Sequence, residues 1–365
     1  MSQAFSPLAA ARTLAWRAIE RLPPEADAVL RGARGLADAA LSRPLPLRLL
    51  EGETGAGAGR LVLGGRGGSL GYFASRFFSG DPLDTGGGRI ARRDVPERLP
   101  GADLAICRLK RRAAFGLEGR GVVRAPEAVG AHLAVDPDGG SFAGANATAR
   151  RNIRQVEKRG FTWTASHDPA AFERFYDAMY VPFAKARYGE LSFVRRREAL
   201  RRRFRQGGLL EVRQDGRVVA AQVFQIMGGT IEMLGPGTQG GDPEPVRQGA
   251  FSALYVFAEA YARRRGLRRL DFGGSLPTLS DGVLKHKRGW GAFLVDRAET
   301  DHDLVFFWKA ASPPLLAFLR AHPLVVRDGK GLSLLAAEGY AEPPPAGLDR
   351  ILTVAPGAAS GDLTL

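Results

Sequence analysis

The sequence predicts a mixed α/β (α+β) protein whose second half folds around an antiparallel three-strand meander followed by a β-α-β crossover. Two observations lead there. Asp215-Gly216 separates the alternating apolar runs LLEVRQ and RVVAAQVFQIM, the strongest short-range signature of a hairpin. A long amphipathic segment from about Ala250 to Arg265, stopped by Gly266, stands between TIEML and LRRLDFGG, both of which read as strands. A helix joining two strands of one sheet makes them parallel neighbours through a right-handed crossover.

The elements follow in order. MSQAFSPLAAARTLAWRAIERLPPEADAVL spaces its apolar residues helically but interrupts them with Arg12, Arg17, Glu20 and Arg21, so an amphipathic helix is expected and a signal peptide is not. Two glycine-rich stretches, 52–71 and 84–89, punctuate short apolar runs, RLVLG and ADLAICRL, that read as strands. The turn-rich DPDGGSFAGAN at 136–146 marks a boundary, giving domains of 1–140 and 141–365. ATARRNIRQVEKRG is a helix closed by Gly160, and FTWTAS is a strand. Asp168 as N-cap and Pro169 at the first position open the helical DPAAFERFYDAMYVPFAKARYG. FVRRREALRRRFRQGG is a further helix, and the meander of 209–235 comes next. GPGTQGGDPEPVRQG reads as the loop before the long helix. SDGVLKHKRGW is a short helix and GAFLVDRAET a last strand, with LVFFWKAASPPLLAFLRAHPLVV, from about 304, expected as a helical tail.

At 365 residues the chain is long enough for two cores. With 45% apolar and 25% charged residues it is globular. The single Cys107 excludes a disulfide framework, no zinc spacing occurs, and a reducing cytoplasm is expected. No run reaches the roughly 20 apolar residues of a membrane span. A formal charge of +14 suits polyanionic partners. Lysine accounts for only seven of 52 basic residues, so an arginine bias of composition explains the charge equally well.

Three stretches carry a resemblance. ARRNIRQVEKRGFTW (149–163) contains R-x-x-I-R-x-x-x-x-x-G, ALYVFAEAYARRRGLRRLDFGGS (253–275) is a long helix leading to D-F-G, and LKHKRGWGA (284–292) resembles F-K-x-G-F-G with Lys287 on the lysine and Trp290 replacing the aromatic Phe. In this order they resemble the Fem-type transferases and the cellulose-biosynthesis (CelD-like) acyltransferases of the GNAT superfamily, over roughly 145–300. RGVVRAPEAVGAHLAVDPD (120–138) resembles the joint between the two GNAT-like lobes of such proteins. The resemblance implies a degenerate first lobe, a catalytic second lobe, and transfer of an acyl or aminoacyl group to an amine. One departure stands out. The usual coenzyme-A signature, Q/R-x-x-G-x-G/A, is absent, because alanine or phenylalanine lies three residues past Arg247 or Gln248.

Candidate site residues follow from this placement. Lys287, on the family lysine, would bind a donor phosphate or hold the oxyanion of acyl transfer; the competing role is an exposed lysine on a short helix. Lys285 could likewise meet a phosphate, and His286 could act as a base. Asp271 ends the strand bordering the expected cleft and could take the amine proton, or merely cap a loop. Glu232 projects opposite to Ile231 and Met233 and is a second candidate base. Arg247, Gln248 and Gly249 precede the long helix, where backbone N–H groups and a helix dipole meet phosphates. Arg151 and Arg154, at i and i+3, could bind a substrate phosphate or be solvated. Gly67-Gly68-Ser69-Leu70-Gly71 matches a hydrolase nucleophile elbow, but no helix is evident after it. Asp301-His302-Asp303 cannot all face one metal on a strand, and no metal is expected.

The expectation is an N-acyltransferase using an acyl-CoA or acyl carrier protein thioester and an amine acceptor, the favoured acceptor being lipid-like, such as a sphingoid base. Such an enzyme would be cytoplasmic and could meet an anionic membrane surface at the inner face. The tail at 304–326 would cover a core, lie at that interface, or line a tunnel for an acyl chain. Two rivals stand beside it: a Fem-type transferase using aminoacyl-tRNA on a peptide or peptidoglycan precursor, and a non-catalytic GNAT-fold module in polysaccharide assembly.

Overall fold

The computed structural model describes residues 44–98, 101–117, 120–188, 194–297 and 300–363. The amphipathic helix expected at the N-terminus lies outside them. The chain divides into two compact units: Met1–Val129 with Leu276–Asp281 and Val295–Leu365, and Gly130–Ser275 with Gly282–Leu294.

The first unit is built on a nine-stranded sheet. Strands β1 (Pro44–Thr54) and β2 (Gly57–Gly64) form a hairpin, and helix α1 (Gly68–Phe77) follows. Strand β3 (Leu83–Ala91) returns beside β1, and β4 (Leu104–Lys110) lies parallel to β2. The order hairpin, helix, parallel strand is thus already present in the first half. Strand β5 (Val123–Pro126) comes next in this sheet.

The C-terminal segment corrects the expectation of a helical tail attached to the second lobe. LVFF lies in strand β13 (His302–Phe307), inserted between β4 and β5. Helix α9 (Pro313–Ala321) and strands β14 (Leu324–Arg327), β15 (Leu332–Ala337) and β16 (Ile351–Val354) complete the unit. Leu304, Phe306, Trp308, Leu315 and Phe318 join Phe73 and Phe77 of α1 in one core, which removes this segment as a membrane face or acyl tunnel. A strand buried on both faces reads as a continuous apolar run, as a buried helix also does.

The second unit holds a seven-stranded sheet. Strand β6 (Val129–Ala134) leads to helix α2 (Ala147–Lys158), whose N-cap Asn146 accepts from Ala149 N–H at 2.9 Å. Strand β7 (Thr162–Ser166) precedes α3 (Pro169–Phe175), capped by Asp168 as expected. A π-helical turn at Tyr176–Tyr180 links α3 to α4 (Val181–Tyr188). Helix α5 (Arg197–Arg205) is followed by the meander β8 (Gly207–Gln214), β9 (Arg217–Met227) and β10 (Thr230–Thr238). Asp215 and Gly216 take φ of 50° and 76°, both positive as a tight hairpin turn of this sequence requires. The GPGT expected in a loop belongs to β10.

Short α6 (Glu244–Arg247) then leads to α7 (Ala250–Arg264), β11 (Arg269–Ser275), α8 (Gly282–Gly289) and β12 (Phe293–Asp296). Strand β11 is parallel to β10. Alternate residues of β8 to β11 (Leu210, Phe224, Ile231, Met233, Leu270, Phe272) pack with Ala250, Ala253, Leu254 and Ala258 of α7. On the opposite face, Leu209, Ala221, Val223 and Leu234 pack with Phe172, Phe175 and Tyr180. Among the described residues no helix is long and apolar enough to cross a membrane.

Candidate active site

Strands β10 and β11 pair over only three residues, Thr230↔Arg269, Ile231↔Leu270 and Glu232↔Asp271. Beyond this point β10 stays with β9 while β11 parts from it, opening a notch at their carboxyl ends. That is where open α/β sheets bind ligands. In β10 the register with β9 shifts between Leu234 and Pro236, leaving Gly235 outside both registers. Gly235 has φ +57°, and a Cβ there would meet the Tyr180 ring at 2.7 Å. A Cβ on Gly237 would lie 2.6 Å from the Met179 carbonyl carbon, so only glycine lets the π-helical turn approach β10 this closely.

The last paired residues carry the carboxylates. Asp271 is 7% exposed; its Oδ1 accepts from Gly273 N–H at 2.7 Å, and its Oδ2 lies 3.4 Å from His132 Nε2. Glu232 accepts from the Gln225 amide, whose oxygen in turn accepts from Arg203 Nη1 at 2.8 Å. His132, Asp271, Glu232 and Gln225 alternate with the residues facing α7, so they form one polar row across the other face of the sheet. Sequence reasoning missed His132. The sequence places it in a joint, although its alternation with buried Ala131 and Leu133 in AHLA is the signal of a strand.

Lys287 is placed beside the notch, but it is 5% exposed and its three ammonium protons are engaged. It donates to the Gly273 and Gly274 carbonyls at 2.9 Å each and to Ser275 Oγ at 3.0 Å. Those carbonyls belong to the part of β11 that has left β10. The lysine therefore satisfies backbone groups that the parting strands strand, which corrects the picture of a lysine exposed on a short helix. Lys285 is exposed on the same helix. His286 Nε2 accepts from Trp290 Nε1–H at 3.3 Å. Desolvation, with the neighbouring Lys287 charge, holds the His286 pKa below its usual value.

At the entry to α7, Gly249 takes φ +98° and no side chain caps the helix. Arg247 and Gln248 do not turn toward these amides: both bond to Glu244, at 2.8 and 2.9 Å. Those bonds hold the Glu244 pKa down, and the charge of Arg159, at the end of α2, adds to the effect. Arg151 and Arg154 are exposed on α2. The turn that enters α2 meets the 284–292 stretch where Asn146 N–H donates to Gly289 O at 2.8 Å and Gly144 packs on Gly291.

The remaining motifs separate. Helix α1 begins inside Gly67–Gly71, because Leu70, Phe73 and Phe77 give the run a helical face; this corrects the reading that no helix follows. Ser69 Oγ donates to Glu127, which is also held by Arg108. Asp303 is wholly buried between Arg124 and Arg327, while neighbouring His302 lies 3.9 Å from Glu127. Among the described residues no cluster could hold a metal.

Residues 144–288 match the model of the acetyltransferase (GNAT) domain family. No curated protein sequence matches the chain. Solved structures with likeness include L-PGS from Bacillus licheniformis, 13% identical with TM-score 0.38, covering 74% of this chain and 83% of that one. FemX is 12% identical with TM-score 0.39, covering 55% and 72%. A GCN5-related N-acetyltransferase from Sphaerobacter thermophilus is 16% identical with TM-score 0.30, covering 68% and 71%. The sheet whose crossover opens beside α7 and the family match coincide on the same residues: the chain carries an acetyltransferase (GNAT) domain at 144–288.

Proposed function

We propose that the second unit transfers an acyl group from a thioester, carried by coenzyme A or an acyl carrier protein, to an amine. The observation that carries the reading is the three-residue pairing of β10 with β11, which ends at two carboxylates beside the unregistered Gly235. The donor lies in the notch with its carbonyl oxygen toward the Gly235 N–H. The amine nitrogen attacks the thioester carbon, a C–N bond forms, and the oxyanion is held by backbone N–H. Asp271 takes the amine proton, and His132, 3.4 Å away, passes it to solvent through its 17% exposed side chain. Glu232 holds the incoming amine. The C–S bond then breaks and the thiolate leaves. Lys287 fixes the mouth of the notch without touching the reacting atoms. Donor phosphates approach the uncapped start of α7, beside Gly249 and Arg159.

The acceptor we favour is a lipid-like amine such as a sphingoid base, met at the inner face of an anionic membrane by a cytoplasmic protein. The exposed Arg151, Arg154 and Lys285 suit such a surface. A second reading, aminoacyl-tRNA as donor, is favoured by one observation: Glu244 sits at the entry to α7 and engages both Arg247 and Gln248, an unwelcoming place for a diphosphate. The test is thiol release from long-chain acyl-CoA and acyl carrier protein thioesters with a panel of amines, beside aminoacyl-tRNA consumption. Amine-dependent thiol release supports the first reading. Transfer from aminoacyl-tRNA with no thioester turnover replaces it by the second.

A further inference from the structure

One buried polar group next to the end of β10 is not used by the mechanism. Gln222, on β9, is 5% exposed, and its Oε1 is buried without a hydrogen-bond partner. Its cross-strand neighbour on β10 is Pro236, the first residue back in register after Gly235. Proline has no N–H, and the bulge removes a regular ladder partner, so the local backbone offers this amide little. On the other side its neighbour is the wholly buried Leu210. Gln222 shares the alternation of Ala220 and Phe224, which face α7, so it sits on the α7 side of the sheet, one strand in from the stretch of β10 that β11 has left.

A buried amide oxygen left unpaired is a net cost to the folded chain, whereas leucine at the same place would only add to the apolar wall. The cost is recovered when a ligand brings an N–H to this oxygen. From this geometry we infer that Gln222 is a donor-recognition residue, its Oε1 accepting from an amide N–H of a pantetheine arm lying along the end of β10. The inference rests on the thioester reading above. The arm is common to coenzyme A and holo acyl carrier protein, and free pantetheine carries it without either. Gln222 makes no contact with the reacting carbonyl, so it acts on donor affinity and not on the chemical step.

The experiment measures dissociation constants of coenzyme A, holo acyl carrier protein and pantetheine, with melting temperatures, for the wild type and Gln222→Leu. Gln222→Met serves as a second apolar variant should leucine disturb the fold. The expected result is an affinity about tenfold weaker, equivalent to one hydrogen bond. With it go a melting temperature equal to or a few degrees above the wild type and an unchanged single-turnover rate at saturating donor. Tighter binding of coenzyme A or of the carrier protein identifies the source of the arm. Wild-type binding that the variants leave unchanged overturns the inference alone. A wild type that binds none of the three overturns the thioester reading, and the inference with it.

Discussion

Replacing Lys287 by methionine tests whether the ammonium builds the notch or takes part in the chemistry. Three hydrogen bonds of 2.9, 2.9 and 3.0 Å converge on a side chain that is 5% exposed. Methionine keeps the length and removes every donor, leaving the Gly273 and Gly274 carbonyls without this partner. Each orphaned carbonyl costs about 1–3 kcal/mol. Part of that is offset because a buried ammonium need no longer be desolvated. We expect a net loss of about 2–4 kcal/mol, or roughly 10 °C in the melting of the second unit. Lys287→Arg should recover little, since a planar guanidinium cannot direct three donors into the same small space. Urea denaturation followed by circular dichroism reads the loss. Wild-type stability in Lys287→Met, with turnover abolished, would refute the structural role and return the lysine to the reacting atoms.

Two further predictions bear on the frame of the site and on pH. Gly237→Ala, whose Cβ would lie 2.6 Å from backbone of Met179, should destabilise by about 1–3 kcal/mol and lower acyl transfer, while Gly80→Ala, exposed in the first unit with nothing near its added Cβ, should leave transfer unchanged. His286, His302 and His322 are all held below their usual pKa, chiefly by desolvation. The unfolded chain thus binds protons first, so melting temperature should begin to fall as pH drops below about 6.5. Burial works to raise the Asp328 pKa, but bonds from Ser333, Lys330 N–H and Gly331 N–H and the charge of Arg350 outweigh it and hold it below the usual range. Its contribution should be present above about pH 4 and lost below. A melting temperature that does not change between pH 7 and 5 would count against the histidine part.

Much of the second unit was legible because its signals are local. Asp168-Pro169 starts a helix, Asp215-Gly216 turns a hairpin, and Gly160 and Gly266 close helices, each through its own backbone preferences. Glu232 and Asp271 could be placed on the strands either side of the crossover by alternation and order alone, although Asp271 lies within β11 and not at its end. What stayed hidden depends on contacts distant in sequence. The partner of Asp271 is His132, 139 positions away and on a strand that reads as a connector. The donors of Lys287 are spent on backbone that only the parting of β10 and β11 exposes. The residues after 304 look helical because Leu304, Val305 and Phe306 are buried on both faces, which erases the period of two. Arg247 and Gln248 looked like phosphate ligands until Glu244 claimed them both.

The claim on which the rest depends is that Asp271 receives the amine proton, and the rate of thioester aminolysis in Asp271→Asn across pH 6 to 10 tests it most directly. Asparagine keeps the shape and an acceptor for Gly273 N–H, so the fold should hold and donor binding should persist. The account predicts a rate about 10²–10⁴ lower at neutral pH, recovering toward high pH as the amine arrives already deprotonated. A rate profile superimposable on that of the wild type would contradict it.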